Sequence, residues 1–388
     1  MKNFWSENEE KCRQIGTWVV SGLWIWALLS YWSCLPIPKF PISNLEVSFF
    51  LILGIQILLC CDLKEMLLFR NREWNYVVAI LVVTVICLFL AASRPGAFFT
   101  VCNFCLLLYL CNRWDWKVGS QCLVICGCLG VYAQWLFWPL LTEADRNPNM
   151  AGTVIVFLTF TMFVFAERWV VKRKWRRVLL QVILLLVAVG QLWIYHGRGT
   201  AVALLFFCIM RYLIPAVWWQ KEKLYRLAFG ILTIGSVMFA ILYTAAWQLF
   251  DPEKVLRIFG KRLFSGREAI WLEFLQHFIK QPLWGSGTNF TIQSFSEFNV
   301  HNAMLDIFVI HGAIVFALVV AYIWWKMKKI YHAHPKNPLF ITAMSGVMAV
   351  FWESVTDMDL LWTPEFMIWS LMLMILASDP DKIQEKVE

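Results

Sequence analysis

Long apolar runs recur from one end of the chain to the other, separated by short polar stretches. Wound as a helix, each run approaches the roughly 30 Å of a bilayer's hydrocarbon core. The pattern predicts about twelve spans, near 15–34, 45–61, 75–92, 97–111, 118–141, 150–166, 178–195, 199–217, 227–246, 303–325, 339–356 and 365–377. The expected fold is therefore all-α: a polytopic integral membrane protein in which 1–388 form one membrane domain. One long stretch breaks the rhythm. Residues 247–301 are polar enough to form a large extracytoplasmic loop, and they end in His301-Asn302.

Composition agrees with the pattern. The chain is 60% hydrophobic and only 15% charged, where a soluble chain carries roughly 25% charge. The net charge of +8 does not point to nucleic acid, because the basic residues are divided among short loops. With the N-terminus cytoplasmic, about 24 of the 34 basic residues fall on the inner side, as the positive-inside rule requires. The segment from Arg168 to Arg177 weighs most in this choice. Both termini are then cytoplasmic, and 247–301 faces outward with the turns at 91–96, 142–149, 196–198 and 357–364. The Cys residues lie mainly within or beside the apolar runs, and no pair has zinc-ligand spacing. They read as packing residues, and no metal is expected.

The outer loop predicts two helices. Asp251-Pro252-Glu253 opens the first. Ser265-x-x-Glu268 is a capping box for the second. Trp271, Phe274, Leu275, Phe278 and Ile279 then share one face, so an amphipathic helix runs from about 266 to 280 and Pro282 stops it. Arg267 lies in its first turn, where a cation opposes the helix dipole. A bound anion reverses that sign, and the arginine then joins free N–H groups on a phosphate. Glu297 is an alternative partner for it. Gly285-Ser286-Gly287 reads as a plain turn or, more weakly, as a phosphate nest.

Other outward residues extend the candidate site. Arg198 lies in the very short turn His196-Gly197-Arg198-Gly199-Thr200, at headgroup level, where an arginine needs a partner or a watery cavity. Arg94 precedes Pro95-Gly96 and reads as a snorkelling anchor or a substrate contact. Asn147-Pro148-Asn149 opens the sixth span as a helix cap. His301 stands at the outer end of the tenth span, where the positive end of the dipole favours a neutral ring able to accept a proton. Asp306 and His311 lie deeper in that span and read as packing or supporting groups, while His332 and His334 read as solvated.

At these residues the chain resembles the O-antigen ligase and O-antigen polymerase superfamily. His196-Gly197-Arg198-Gly199-Thr200-Ala201 resembles its Arg-containing turn before a span, and Asn147-Pro148-Asn149 its Asn-Pro-Asn turn. Ser265-Gly266-Arg267 through Trp271, with Pro282 to Gly287, resembles its Gly-Arg…Trp…Pro-x-x-Gly-x-Gly stretch. His301-Asn302 through Leu305, with Gly312, resembles the HN-x-x-L…G signature that closes the family's large loop. The likeness covers roughly 147–316. A second family glycine beyond Gly312 is replaced by Val315-Phe316.

The resemblance implies a metal-independent glycosyltransferase of the GT-C type, without a cofactor, in a bacterial inner or plasma membrane. Its donor is a glycan on undecaprenyl diphosphate. Its acceptor is a sugar hydroxyl, on lipid A–core for a ligase or on the next lipid-linked repeat for a polymerase. His301 is then the expected base, and Arg198 and Arg267 the diphosphate clamp. Asn302, Arg94, Asn149, Gly266, Gly285 and Gly287 are the expected substrate contacts. The rival reading is a transporter or flippase of lipid-linked glycans, which needs ionisable residues along a path between both faces. A structural subunit of an envelope assembly complex is the third reading.

Overall fold

The fold was taken from a computed structural model. It describes all residues except 1, 34–43, 62, 112, 114–117, 142–147, 171–173, 196, 250–256, 259–260, 263–265, 295–298, 335, 359 and 379–388. At 2–14, 60, 118–123, 138–141, 148–149, 169–170, 174, 257–258, 261–262 and 364 it describes the backbone alone.

The chain is almost wholly helical. In order, the helices are α1 (Lys2–Trp32), α2 (Leu45–Cys60), α3 (Leu63–Leu67), α4 (Arg72–Leu90), α5 (Pro95–Leu110), α6 (Val118–Leu141), α7 (Pro148–Phe165) and α8 (Lys174–Tyr195). They continue as α9 (Arg198–Cys208), α10 (Ala216–Trp219), α11 (Glu222–Leu249), α12 (Arg267–Phe278), α13 (Ala303–Ala333), α14 (Pro338–Glu353) and α15 (Thr363–Ala377). Among the described residues, six helices are long and apolar enough to cross a membrane: α1, α4, α7, α8, α11 and α13. Five shorter apolar helices lie within α2, α5, α6, α14 and α15. Every apolar run read from the sequence is thus at least partly helical. The run at 199–217 is not one α-helix: α9 passes into a π-helical turn at Ile209–Leu213, and the chain is extended at Ile214 before Pro215. Proline disfavours a helical conformation in the residue before it, so the break falls there.

Position in the bundle follows from which faces are apolar. α5, α14 and α15 bury residues on every side, as expected of helices without a polar stripe. α14 and α15 pack on each other and on α7, forming the centre. α8, α4 and α11 leave one side of apolar residues exposed, such as Leu186, Val82 and Leu242, which suits contact with lipid.

Two buried acids organise the end where the basic loops gather. Glu73 on α4 meets Lys326 of α13 at 2.6 Å and Arg113 at 2.7 Å, and accepts a hydrogen bond from Tyr322. Glu167 lies in a π-helical turn after α7 and meets Arg211 at 2.7 Å and Arg177 at 2.9 Å. Arg211 itself lies in the π-helical turn after α9. Each π turn brings its charged residue to the shared ion pair, a use typical of such insertions.

The 247–301 stretch differs from expectation in its first half. Asp251-Pro252-Glu253 lies outside the described residues. Beyond it stands a two-residue antiparallel pair, Arg257–Ile258 with Lys261–Arg262, where a helix was expected. Gly260 is a turn signal within that segment. The second helix does form, as α12. Its buried face is Ile270, Trp271, Phe274 and Phe278, and Ile279 points away into the open.

Candidate functional site

Three segments far apart in sequence meet around Asp357. α12 begins after Gly266, whose φ of 98° only glycine adopts easily. Glu268 reaches back to the helix start one residue later than the expected capping box: the N-cap is Gly266, whose N–H donates to Glu268 Oε1 at 2.9 Å. This start sets Arg267 in the lining of a cavity, with a guanidinium nitrogen 3.7 Å from Asp357 Oδ2. His301 arrives from the other side, its Nδ1 3.4 Å from Asp357 Oδ1. Burial pushes the Asp357 carboxyl up, but the His301 ring, the Arg267 guanidinium and the Met358 N–H outweigh it and hold the carboxyl below its ordinary range.

His301 is held rigidly. Its φ is 52°, a left-handed conformation shared among the described non-glycine residues only with Phe69 and Ala92. Such strain persists only where neighbours fix the chain. Its N–H donates to Asn299 Oδ1, and the Trp271 indole N–H donates to the Val300 carbonyl at 2.7 Å. On the far side, the Ala303 N–H donates to the Ser354 carbonyl. Asn302 caps α13 by accepting from the Leu305 N–H. Its amide donates to the Val355 carbonyl, and its Oδ1 accepts from Ser236 on α11. Asn302 is fully buried in these bonds, so its observed task is to join α11, α13 and the 354–357 turn.

The cavity has a volume of about 540 Å³. Its polar end carries Arg198, Arg267, Glu353, Thr356 and Asp357. Away from these groups the lining is apolar, with Val202 of α9 and Ile231 and Leu232 of α11, while Trp352 of α14 stands beside Glu353. Lining residues on α11 run from Tyr243 to Ile231, a length of about 18 Å at a 1.5 Å rise per residue. Arg198, Gly199 and Thr200 form the first turn of α9 and open on this space, and a helix start offers free N–H groups to an anion. Glu353 is buried there, and a Cβ on Gly199 would come within 3.2 Å of its Oε1.

The remaining expected residues are dispersed. Asn149 is the second residue of α7 and its side chain lies outside the described residues. One turn on, Gly152 packs against Thr200 and Gly197, so the start of α7 adjoins the start of α9. Arg94 does not line the cavity; its backbone N–H donates to Thr288 Oγ1 at 2.7 Å and its side chain is exposed. Gly285 and Gly287 are used in packing: the Gly285 N–H donates to the Gln281 carbonyl and the Gly287 N–H to the Ile310 carbonyl. Asp306 and His311 are buried in α13. Among the described residues no group of His, Cys, Asp and Glu is arranged to hold a metal ion.

Sequence reasoning missed Asp357 and Glu353. Glu353 ends α14 and Asp357 stands in the turn after it. Acidic residues there are the natural complement of Arg198 and Arg267, and that was the available signal. No family model matches the chain, and neither a curated protein nor a solved structure matches it.

Proposed function

We propose that this chain is a membrane glycosyltransferase that moves a glycan from undecaprenyl diphosphate to a sugar hydroxyl during surface polysaccharide assembly, as an O-antigen ligase or polymerase does. The single observation that carries this reading is the two-ended cavity. Two arginines line one end beside the Asp357 that holds His301, and mostly apolar side chains line the rest of its roughly 18 Å along α11. That shape and charge suit a diphosphate headgroup on a long hydrocarbon tail. In this reading the chain has twelve spans of GT-C type, lies in a bacterial inner or plasma membrane, and keeps both termini cytoplasmic. The polar end of the cavity then faces outward.

The chemistry follows from the groups present. The acceptor hydroxyl attacks the anomeric carbon, His301 takes its proton, and the bond from that carbon to the diphosphate oxygen breaks. Arg198 and Arg267 stabilise the negative charge that grows on the leaving diphosphate. Asp357 orients the imidazole and stabilises it once protonated, the part a carboxylate plays beside a catalytic histidine elsewhere. The ionisable groups at the opposite end, Glu73 with Lys326 and Glu167 with Arg211, are tied to one another. That arrangement favours an enzyme over a transporter with a path between the faces.

The test is transfer in a purified, reconstituted system given an undecaprenyl-diphosphate repeat unit, with and without a lipid A–core acceptor. Longer lipid-linked glycans from the donor alone identify a polymerase; a product that requires lipid A–core identifies a ligase. Arg198→Ala and Arg267→Ala are expected to abolish transfer while leaving the protein folded. Lys at either position should rescue poorly, because the bidentate fork is lost. Near-normal transfer by both Ala variants would remove the clamp.

A further inference from the structure

The segment between α12 and α13 is built into the helix bundle. Gly312 interrupts α13 with φ 88° and ψ 166°, which leaves the carbonyls before it without their usual partners. The segment supplies them: the Ser286 N–H donates to Val309 O at 2.7 Å and the Gly287 N–H to Ile310 O at 3.1 Å. In return the Ala313 N–H donates to Pro282 O at 2.9 Å. The approach is so close that a Cβ on Gly285 would fall 2.2 Å from the Ile310 oxygen. Val309 and Ile310 stand six and seven residues into α13, so the segment reaches about 10 Å down from the helix start. Irregular backbone is tolerated at membrane depth only when protein satisfies it, as here.

The other side of this segment is apolar and open. Ile279 is 72% exposed, Leu283 52% and Trp284 37%, whereas Gly285, Gly287 and Thr288 are buried. The open face continues into the lipid-facing side of α4. A Cβ on Gly287 would meet the Ala91 carbonyl, and the Asn289 amide donates to the Ala92 carbonyl, beside Phe89 and Leu90 at the exposed outer end of α4. Lys280 and Gln281 are exposed between the apolar side chains.

We propose that Ile279, Leu283 and Trp284 form a membrane anchor, inserted among the acyl chains of the leaflet around the cavity's polar end. Lys280 and Gln281 then lie at headgroup level, and Trp284 takes the interfacial position that tryptophan favours. The anchor fixes the trailing end of α12 at the bilayer surface, and the Trp271–Val300 bond fixes its other half to the residue before His301. Part of the large loop beyond the amphipathic helix is thus also a membrane contact. The inference rests on the chain spanning a membrane and not on the transfer reaction.

The test places an environment-sensitive fluorescent amino acid at Ile279 or Leu283, by codon suppression, in the full chain in nanodiscs. Emission is compared between ordinary lipids and lipids brominated on the acyl chains. The same label at Phe89 on α4 serves as the lipid-facing reference. Both positions are expected to lose emission about as much as the reference. Loss at Phe89 with none at either Ile279 or Leu283 would overturn the anchor and return the segment to water. Because the readout is depth and not transfer, that result would leave the enzymatic reading standing.

Discussion

At the scale of single residues, the site depends on one carboxylate that bridges two others. Asp357 touches both Arg267 and His301, so its loss should act through both. His301→Ala is expected to lower transfer by about 10²–10⁴-fold, the usual worth of a general base. Asp357→Asn should lower it by a smaller factor and flatten its dependence on pH, which a rate profile across pH would reveal. An unchanged rate and profile for Asp357→Asn would show that the bridge is only a structural contact. The sign of its stability effect follows from its depressed titration. A carboxyl held below its ordinary range stabilises the fold above that range, and the stabilisation disappears as pH falls through the folded-state value. Thermal melts of wild type and Asp357→Asn should therefore converge on acidification and diverge toward neutrality.

At the scale of elements, the sequence was legible wherever a helix carries its own signals. α12 appears where the capping box and the apolar spacing put it, although Ser265 itself lies outside the described residues. α13 starts after Asn302, which caps it as its residue type suggests. The glycines near 285 were ambiguous, because a nest and a turn need the same residues. Only the fold shows that they face the break at Gly312. Gly285→Ala should destabilise the protein by at least about 2 kcal/mol, since the backbone is left-handed and the new methyl meets a carbonyl. A melting temperature equal to wild type for this variant would contradict the latch between the segment and α13.

At the scale of the whole molecule, buried ion pairs decide what the loop charges do. The basic residues set the expected orientation, yet Lys326, Arg113, Arg177 and Arg211 also neutralise Glu73 and Glu167 inside the protein. Glu73→Ala leaves Lys326, which has no exposed surface, without its carboxylate. The expected cost is about 3–5 kcal/mol, visible as earlier unfolding of the purified protein. Replacing Glu73 and Lys326 together by apolar residues should recover much of that loss, because the fully buried ammonium goes with its partner and Arg113, which also meets Glu73, is partly exposed. A double variant no better than the single one would show that the pair does more than balance itself.

The sequence by itself determined the class of fold and most of the helices, because hydrophobic runs, caps and proline stops act over a few residues and need no partner. It also singled out Arg198, Arg267 and His301, because a charge or an imidazole beside an apolar span is costly unless something explains it. Tertiary structure alone decided which of the candidates meet. It joined Arg267 and His301 through Asp357, a residue 56 positions from His301 in the chain, and opened the cavity between α9, α11 and α14. It took Asn302, Gly285 and Gly287 into packing and left Arg94 outside the cavity. Those outcomes depend on how helices distant in sequence cross, and on which buried hydrogen bonds each crossing leaves to be satisfied, and no local pattern carries that information.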